Sequence, residues 1–248
     1  MPVREAEAII LRTYASGEAD KLVSFFSREG GRTRGVAPNA RRSLRRFGSS
    51  LEPLSHVRLR YVEHQNRDLV RLESCELVQS FFEAQSSYEV AVASAYIAEV
   101  CEQLLPEREA NDAFFRLVLL VMNELRRTGG IWRPLTYFDL WAVHLAGMLP
   151  SLEACCRCRA RLEQGAAAWF RPEAEGLLCS LCRSRGCSQL SADSRRLAHN
   201  MLGNSLLTIS EQGWSKERAA DLRHFLGQRM ERHLERKLLT GSALQSLP

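Results

Sequence analysis

The spacing of hydrophobic positions changes character near residue 80. From Ala6 to about Ser80 short apolar segments alternate with turn residues, which predicts strands at Ala8–Leu11, Lys21–Phe26 and, after the Gly30-Gly31 turn, Thr33–Ala37. Val57, Leu59 and Tyr61 then alternate with Arg58 and Arg60, the period-two pattern of a half-buried strand, and Asp68–Leu72 supplies a fifth. Five short strands in this span suit a small closed barrel of the oligonucleotide/oligosaccharide-binding (OB) type. An SH3-like barrel or a small sandwich would show the same pattern.

Beyond residue 80 the period becomes helical. Tyr88 to Leu105 carries one predicted helix, and Asn111 or Asp112 caps a second whose stripe is Phe114, Leu117, Val118 and Val121 and which Gly129-Gly130 stops. Pro134 fits the first turn of a third helix, running through Tyr137, Leu140, Trp141, Leu145 and Met148 to Pro150. Ser191 or Asp193 caps a helix through Leu206, and a final helix is expected from about Ser215 to Leu239. The expected fold class is α+β, with a barrel domain at 1–80 and a helical domain at 81–248.

Composition narrows the classes. The chain has 248 residues, 45% hydrophobic and 25% charged, values that exclude gross disorder and low-complexity architecture. The longest apolar run, Leu117–Met122, is far short of the roughly 20 residues that a membrane helix needs. The opening Met-Pro-Val-Arg-Glu-Ala-Glu lacks the basic-then-apolar layout of a secretory signal, so an intracellular location is expected.

A reducing compartment turns the eight cysteines toward metal binding rather than disulfides. Six lie between Cys155 and Cys187, whereas Cys75 and Cys101 sit singly among apolar residues and read as buried hydrophobes. Cys155-x-x-Cys158 and Cys179-x-x-Cys182 form two knuckles twenty residues apart. Each turn aims two sulfurs at one point, and an intervening hairpin brings the pairs together. The expectation is one structural Zn²⁺ held by Cys155, Cys158, Cys179 and Cys182 in a finger at about 151–190. Cys156 and Cys187 are surplus and leave the ligand register open.

Charge is unevenly distributed. The net +5 divides into +4 over 1–80, −5 over 81–154 and +6 over 155–248. Seven arginines face one acid between Arg28 and Arg46, a density suited to a polyanion such as nucleic acid. Phe47 and Tyr61 offer ring faces for unstacked bases, unless the barrel core takes them. Phosphate loops, GxGxxG turns, HExxH pairs and GxSxG elbows are missing from the sequence and the six histidines are dispersed, so no catalytic residues are assigned and enzymatic activity is not expected.

These features together resemble the RecO family of bacterial DNA repair proteins. The likeness is carried by Ala8–Thr13 through Gly17–Leu22, Phe26–Gly31, Ala40-Arg41-Arg42, Arg46-Phe47 and Leu51–Leu54. Downstream it continues in Gly147–Leu152 leading to the first knuckle and Gly176–Leu178 leading to the second. Pro38 and Asn39 stand where the family usually has a basic residue and a glycine, and Arg159 replaces a common glycine. The resemblance implies an OB barrel, a helical domain with an inserted zinc finger, and a cytoplasmic, nucleoid-associated recombination mediator. Such proteins bind single- and double-stranded DNA, anneal complementary strands, pair with RecR and engage the tail of single-stranded-DNA-binding protein so that RecA loads. The DNA-contacting positions it implies are Arg32, Arg34, Arg41, Arg42, Arg45 and Arg46, to which the basic-patch reading adds Phe47. For the acidic tail, Arg126, Arg127 and Arg133 are rare positive charges in an acidic stretch and form the candidate rim. A zinc-ribbon adaptor in transcription or RNA metabolism is the alternative.

Overall fold

The computed structural model describes residues 3–42, 46–63, 68–83, 87–163 and 165–247. They form two compact units, one of Met1–Gly129 with Leu238–Leu247 and one of Gly130–Lys237.

In the first unit, β1 (Val3–Ser16), β2 (Asp20–Ser27), β3 (Gly31–Ala37), β4 (His56–Val62) and β5 (Val70–Gln79) close into a barrel in the order β1-β2-β3-β5-β4, the strand arrangement of an OB fold. All pairings are antiparallel except β3 with β5, which meet in parallel at Gly35↔Val70 and Val36↔Arg71. Glycine is required at that seam, because a Cβ on Gly35 would lie 2.7 Å from Val70 Cγ2 and 2.9 Å from its carbonyl oxygen. The alternating residues Val57, Leu59 and Tyr61 point into a core with Ala8, Ile10, Val23, Phe25, Val70 and Leu72.

Ala8–Leu11 and Val23–Ser27 are buried at every position, so this side of the barrel is covered on both faces. The cover is helical. Following α1 (Tyr88–Leu104), α2 (Asp112–Thr128) sets Phe114 and Phe115 against Phe26, with ring centroids 6.3 and 5.7 Å apart. Asn111 caps α2 by accepting the Phe114 N–H at 3.0 Å, and Gly129 ends it at φ +68°.

The second unit holds α3 (Trp132–Leu145), a ribbon of β6 (Ala168–Phe170) and β7 (Ser188–Leu190), α4 (Ala192–Gly203), a 3₁₀ turn at Leu206–Thr208 and α5 (Ala220–Leu234). Ser191 caps α4, accepting the Ser194 N–H at 3.2 Å. Two expectations need correction here. The helix begun at Ser191 stops at Gly203, and the final helix is shorter than expected at both ends. Ala219 and Glu235 adopt positive φ of 59° and 53°, bounding α5, and Leu239–Ser246 forms a separate helix, α6, in the first unit. Among the described residues no helix is long and apolar enough to cross a membrane.

Candidate metal centre and nucleic-acid interface

The knuckles bring Cys155, Cys158, Cys179 and Cys182 together, all four sulfurs lying within 4.8 Å of one another. Each knuckle closes by a backbone bond, the Arg159 N–H donating to the Cys155 carbonyl at 2.9 Å and the Arg183 N–H to that of Cys179 at 3.0 Å. Arg159, where a glycine would be easy, sits at φ +63°. The Sγ atoms of Cys158 and Cys179 are 3.7 Å apart, close to the edge of about 3.8 Å that a tetrahedron with Zn–S bonds of about 2.3 Å requires.

The chemistry of the four thiols fits a cation. Burial pushes the Cys155 thiol up, but hydrogen bonds from the backbone of Cys158, Cys179 and Arg157 outweigh it and hold it at about 6. The Cys182 thiol is pushed up to about 12, first by its hydrogen bond with Cys158 and then by burial and the other sulfurs. One sulfur therefore ionises easily and its neighbour resists, because adjacent thiolates repel unless a positive ion sits among them. The surplus cysteines stand outside the cluster. Cys156 packs beside Gly176, where an added Cβ would come within 3.3 Å of the Cys156 Cβ, and the Cys187 sulfur lies 3.7 Å from Ser184 Oγ.

Arg195, on α4, anchors the finger, and the sequence reading missed it. Its buried guanidinium donates to four backbone carbonyls, those of Leu152 (2.9 and 3.2 Å), Leu162 (3.1 Å), Glu163 (2.8 Å) and Ala166 (2.7 Å). Burial lowers its pKa, opposed by nearby Glu153. Arg195-Arg196 reads in sequence as an exposed helical pair, so no local signal separates the buried arginine from the exposed one.

The basic segment divides by its partners. Arg32 is largely buried, its Nε donating to the Leu105 carbonyl at 2.9 Å and its Nη1 lying 3.3 Å from Glu107. Half-exposed Arg34 shares Glu107 at 3.1 Å. These two arginines hold β3 against the loop between α1 and α2, where the Arg108 N–H also donates to the Arg32 carbonyl.

Arg41, Arg42 and Arg46 are exposed on the loop after β3. That loop is laid over the β1–β2 turn: the Arg41 N–H donates to the Ala19 carbonyl at 2.9 Å, Arg41 Nη1 to the Gly17 carbonyl at 2.8 Å, and Arg42 pairs with Glu18 at 3.0 Å. Arg46 donates to the Pro38 carbonyl at 2.7 Å. No carboxylate pairs with Arg41 or Arg46 among the described residues. Arg45 lies outside the described residues. Phe47 requires correction, since it is only 2% exposed and packs in the barrel core with Tyr61, leaving no ring face open to a base. Elsewhere on the barrel, Arg58 and Arg60 face Glu76 and Glu5 across the strands at 3.5 and 3.2 Å, so that face is internally balanced.

Of the three candidate rim arginines, exposed Arg126 stands 5.5 Å over the Phe81 ring and exposed Arg127 grips Glu124 with two bonds of 3.0 and 2.7 Å. Arg133 requires correction. It is buried in the second unit, donating to the Ile209 carbonyl at 2.6 Å, and is not available as a surface rim.

A closed five-stranded barrel with a basic loop over its first turn, joined to helices and a four-cysteine knuckle, defines a class of OB-fold, finger-bearing proteins. Residues 1–81 match the family Recombination protein O N terminal and residues 85–240 match Recombination protein O C terminal. The chain is similar to the DNA repair protein RecO of Koribacter versatilis, 45% identical over 99% of each chain. The RecO of Nocardioides sp. is 33% identical over 82% of this chain and 84% of its own, and that of Syntrophotalea carbinolica 32% identical over 71% and 68%. The chain belongs to the RecO family of DNA repair proteins.

Proposed function

We propose that this protein is a recombination mediator that binds single- and double-stranded DNA through its barrel, anneals complementary strands, and acts with RecR and the tail of single-stranded-DNA-binding protein to assist RecA loading. The observation that carries the reading is the exposed loop bearing Arg41, Arg42 and Arg46 over the β1–β2 turn. In OB folds this turn and the neighbouring β2–β3 face take oligonucleotides.

Phosphate contacts of this kind need no sequence readout. Neutralising two strands lowers the repulsion between them while their bases stay exposed to find complements. The reading assigns no bond-making step and no catalytic residue to the chain. Cys155, Cys158, Cys179 and Cys182 would hold one Zn²⁺ with no vacant position, so the ion serves the fold of the finger. Arg126 is the residue best disposed to meet an acidic tail; Arg127 is already matched by Glu124.

The test is annealing of complementary oligonucleotides, followed by fluorescence quenching, with and without cognate single-stranded-DNA-binding protein. Loss of coat-stimulated annealing in a folded Arg41/Arg42/Arg45/Arg46→Ala variant supports the mediator reading. Tight DNA binding with no annealing by the unaltered protein would overturn it in favour of an adaptor. A tail-peptide affinity unchanged by Arg126→Ala would remove that residue from the partner surface.

A further inference from the structure

Within the second unit, an open groove of about 590 Å³ lies between α5, the segment Gly147–Pro150 and the loop carrying Glu175. Arg229, Arg232 and His233 line it. Arg229 and Arg232 are one helical turn apart, and both donate through Nη1 to a single acceptor, the Ala174 carbonyl, at 3.0 and 2.8 Å. One backbone oxygen thus draws two guanidinium groups together.

Among the described residues no carboxylate lies within ion-pair distance of either guanidinium, and Glu175 stands at the groove without pairing to them. The Nε–H of Arg229 is buried with no hydrogen-bond partner. Burial, and then the charge of Arg232, lower the Arg229 pKa, opposed by the nearby carboxylate of Glu175. Two adjacent cations are costly alone and become favourable when an anion accepts the exposed N–H groups left to them.

We infer that Arg229 and Arg232 form an anion site for a phosphate group, distinct from the barrel segment. A tetrahedral oxyanion matches what is on offer, since two planar guanidinium forks direct several N–H groups at closely spaced oxygens. The carboxylate of Glu175 opposes full occupancy and limits affinity.

Phosphorus NMR titration of the full-length protein with inorganic phosphate tests this, using Arg232→Ala, whose side chain is exposed, and Glu175→Gln alongside the unaltered chain. Saturable binding is expected, weakened roughly tenfold or more by loss of the Arg232 charge-assisted bonds and strengthened by Glu175→Gln. Parallel titrations with a 5′-phosphorylated and a 5′-hydroxyl oligonucleotide distinguish the source. A preference for the phosphorylated strand that Arg232→Ala abolishes assigns the site to a strand end. Equal weakening of both strands assigns it to the backbone, and an effect on inorganic phosphate alone assigns it to a free phosphate ligand. Absence of saturable phosphate binding, or binding indifferent to both substitutions in folded protein, overturns the inference. An Arg41/Arg42/Arg46→Ala variant keeps its phosphate titration if the site is as inferred, whatever becomes of annealing.

Discussion

The carboxylate of Glu99 on α1 receives the backbone N–H groups of Leu239 and Thr240, each at 2.8 Å, and the Thr240 hydroxyl as well. An acid only 2% exposed thereby caps a helix about 140 residues downstream and ties α6 to α1. The bonds satisfy N–H groups that α6 cannot satisfy itself, and the negative charge faces the positive end of the helix.

Glu99→Ala should cost about 2–3 kcal/mol, because it orphans buried N–H donors, and amide exchange at 238–247 should rise most. Burial raises the Glu99 pKa, but the bonds from Thr240 and Leu239 outweigh it and hold it below the ordinary carboxylate value. A lowered folded pKa means that this stabilisation is full above the unfolded value of about 4.3 and fades as pH falls through the folded one. An acid titration of the Glu99→Gln variant should therefore lose less stability below about pH 4.3 than the unaltered protein.

DNA affinity should depend on salt with a slope set by the arginines exposed to meet phosphates. Arg41, Arg42 and Arg46 alone give a slope of log K against log salt of about −2 on single strands; all six implied arginines would give about −4. Because Arg32 is committed to Leu105 and Glu107, Arg32→Ala should destabilise the first unit more than it weakens binding. Binding isotherms over a salt series, with thermal melts of the same variant, separate the two.

Chelation under reducing conditions should loosen the finger. The segment 152–190 has little apolar surface apart from Phe170, Leu177, Leu178 and a few neighbours, so loss of a bound ion should raise its amide exchange while the barrel strands keep their protection. Inductively coupled plasma analysis of the purified chain should find about one zinc per chain if the closed four-sulfur site is filled.

Arg195→Lys should behave like partial loss of that ion. A lysine has one ammonium where the guanidinium reaches four carbonyls, and the abandoned acceptors should cost about 2–4 kcal/mol. Faster zinc release to a competing chelator is the readout.

Much of this was legible in the chain. Alternation at Val57–Tyr61 placed a half-buried strand, the Cys-x-x-Cys spacing gathered four sulfurs, and the Asn111-Asp112 and Gly129-Gly130 pairs bracketed a helix, because each signal is local. The unbroken apolar run Ala8–Leu11 could have announced a covered barrel face, since such runs mark strands buried on both sides. Other features depend on partners distant in sequence. Nothing around Phe47 distinguishes a core ring from a stacking platform, and Arg133 and Arg195 look like surface charges until the carbonyls they satisfy are in place. The break at Glu235 escaped because charged residues are good helix formers and the left-handed turn there carries no glycine.

The two-unit partition also bears on the order in which the protein is made. Residues 130–237 are an excursion from a unit whose last helix is supplied by 238–247. On the ribosome the barrel and its covering helices emerge first, yet Glu99 must wait for more than a hundred further residues before its partners exist. The first unit is therefore complete only after the second has been synthesised, and a chain interrupted within the excursion carries the Glu99 carboxylate without the helix it caps, a mark by which unfinished molecules differ from finished ones.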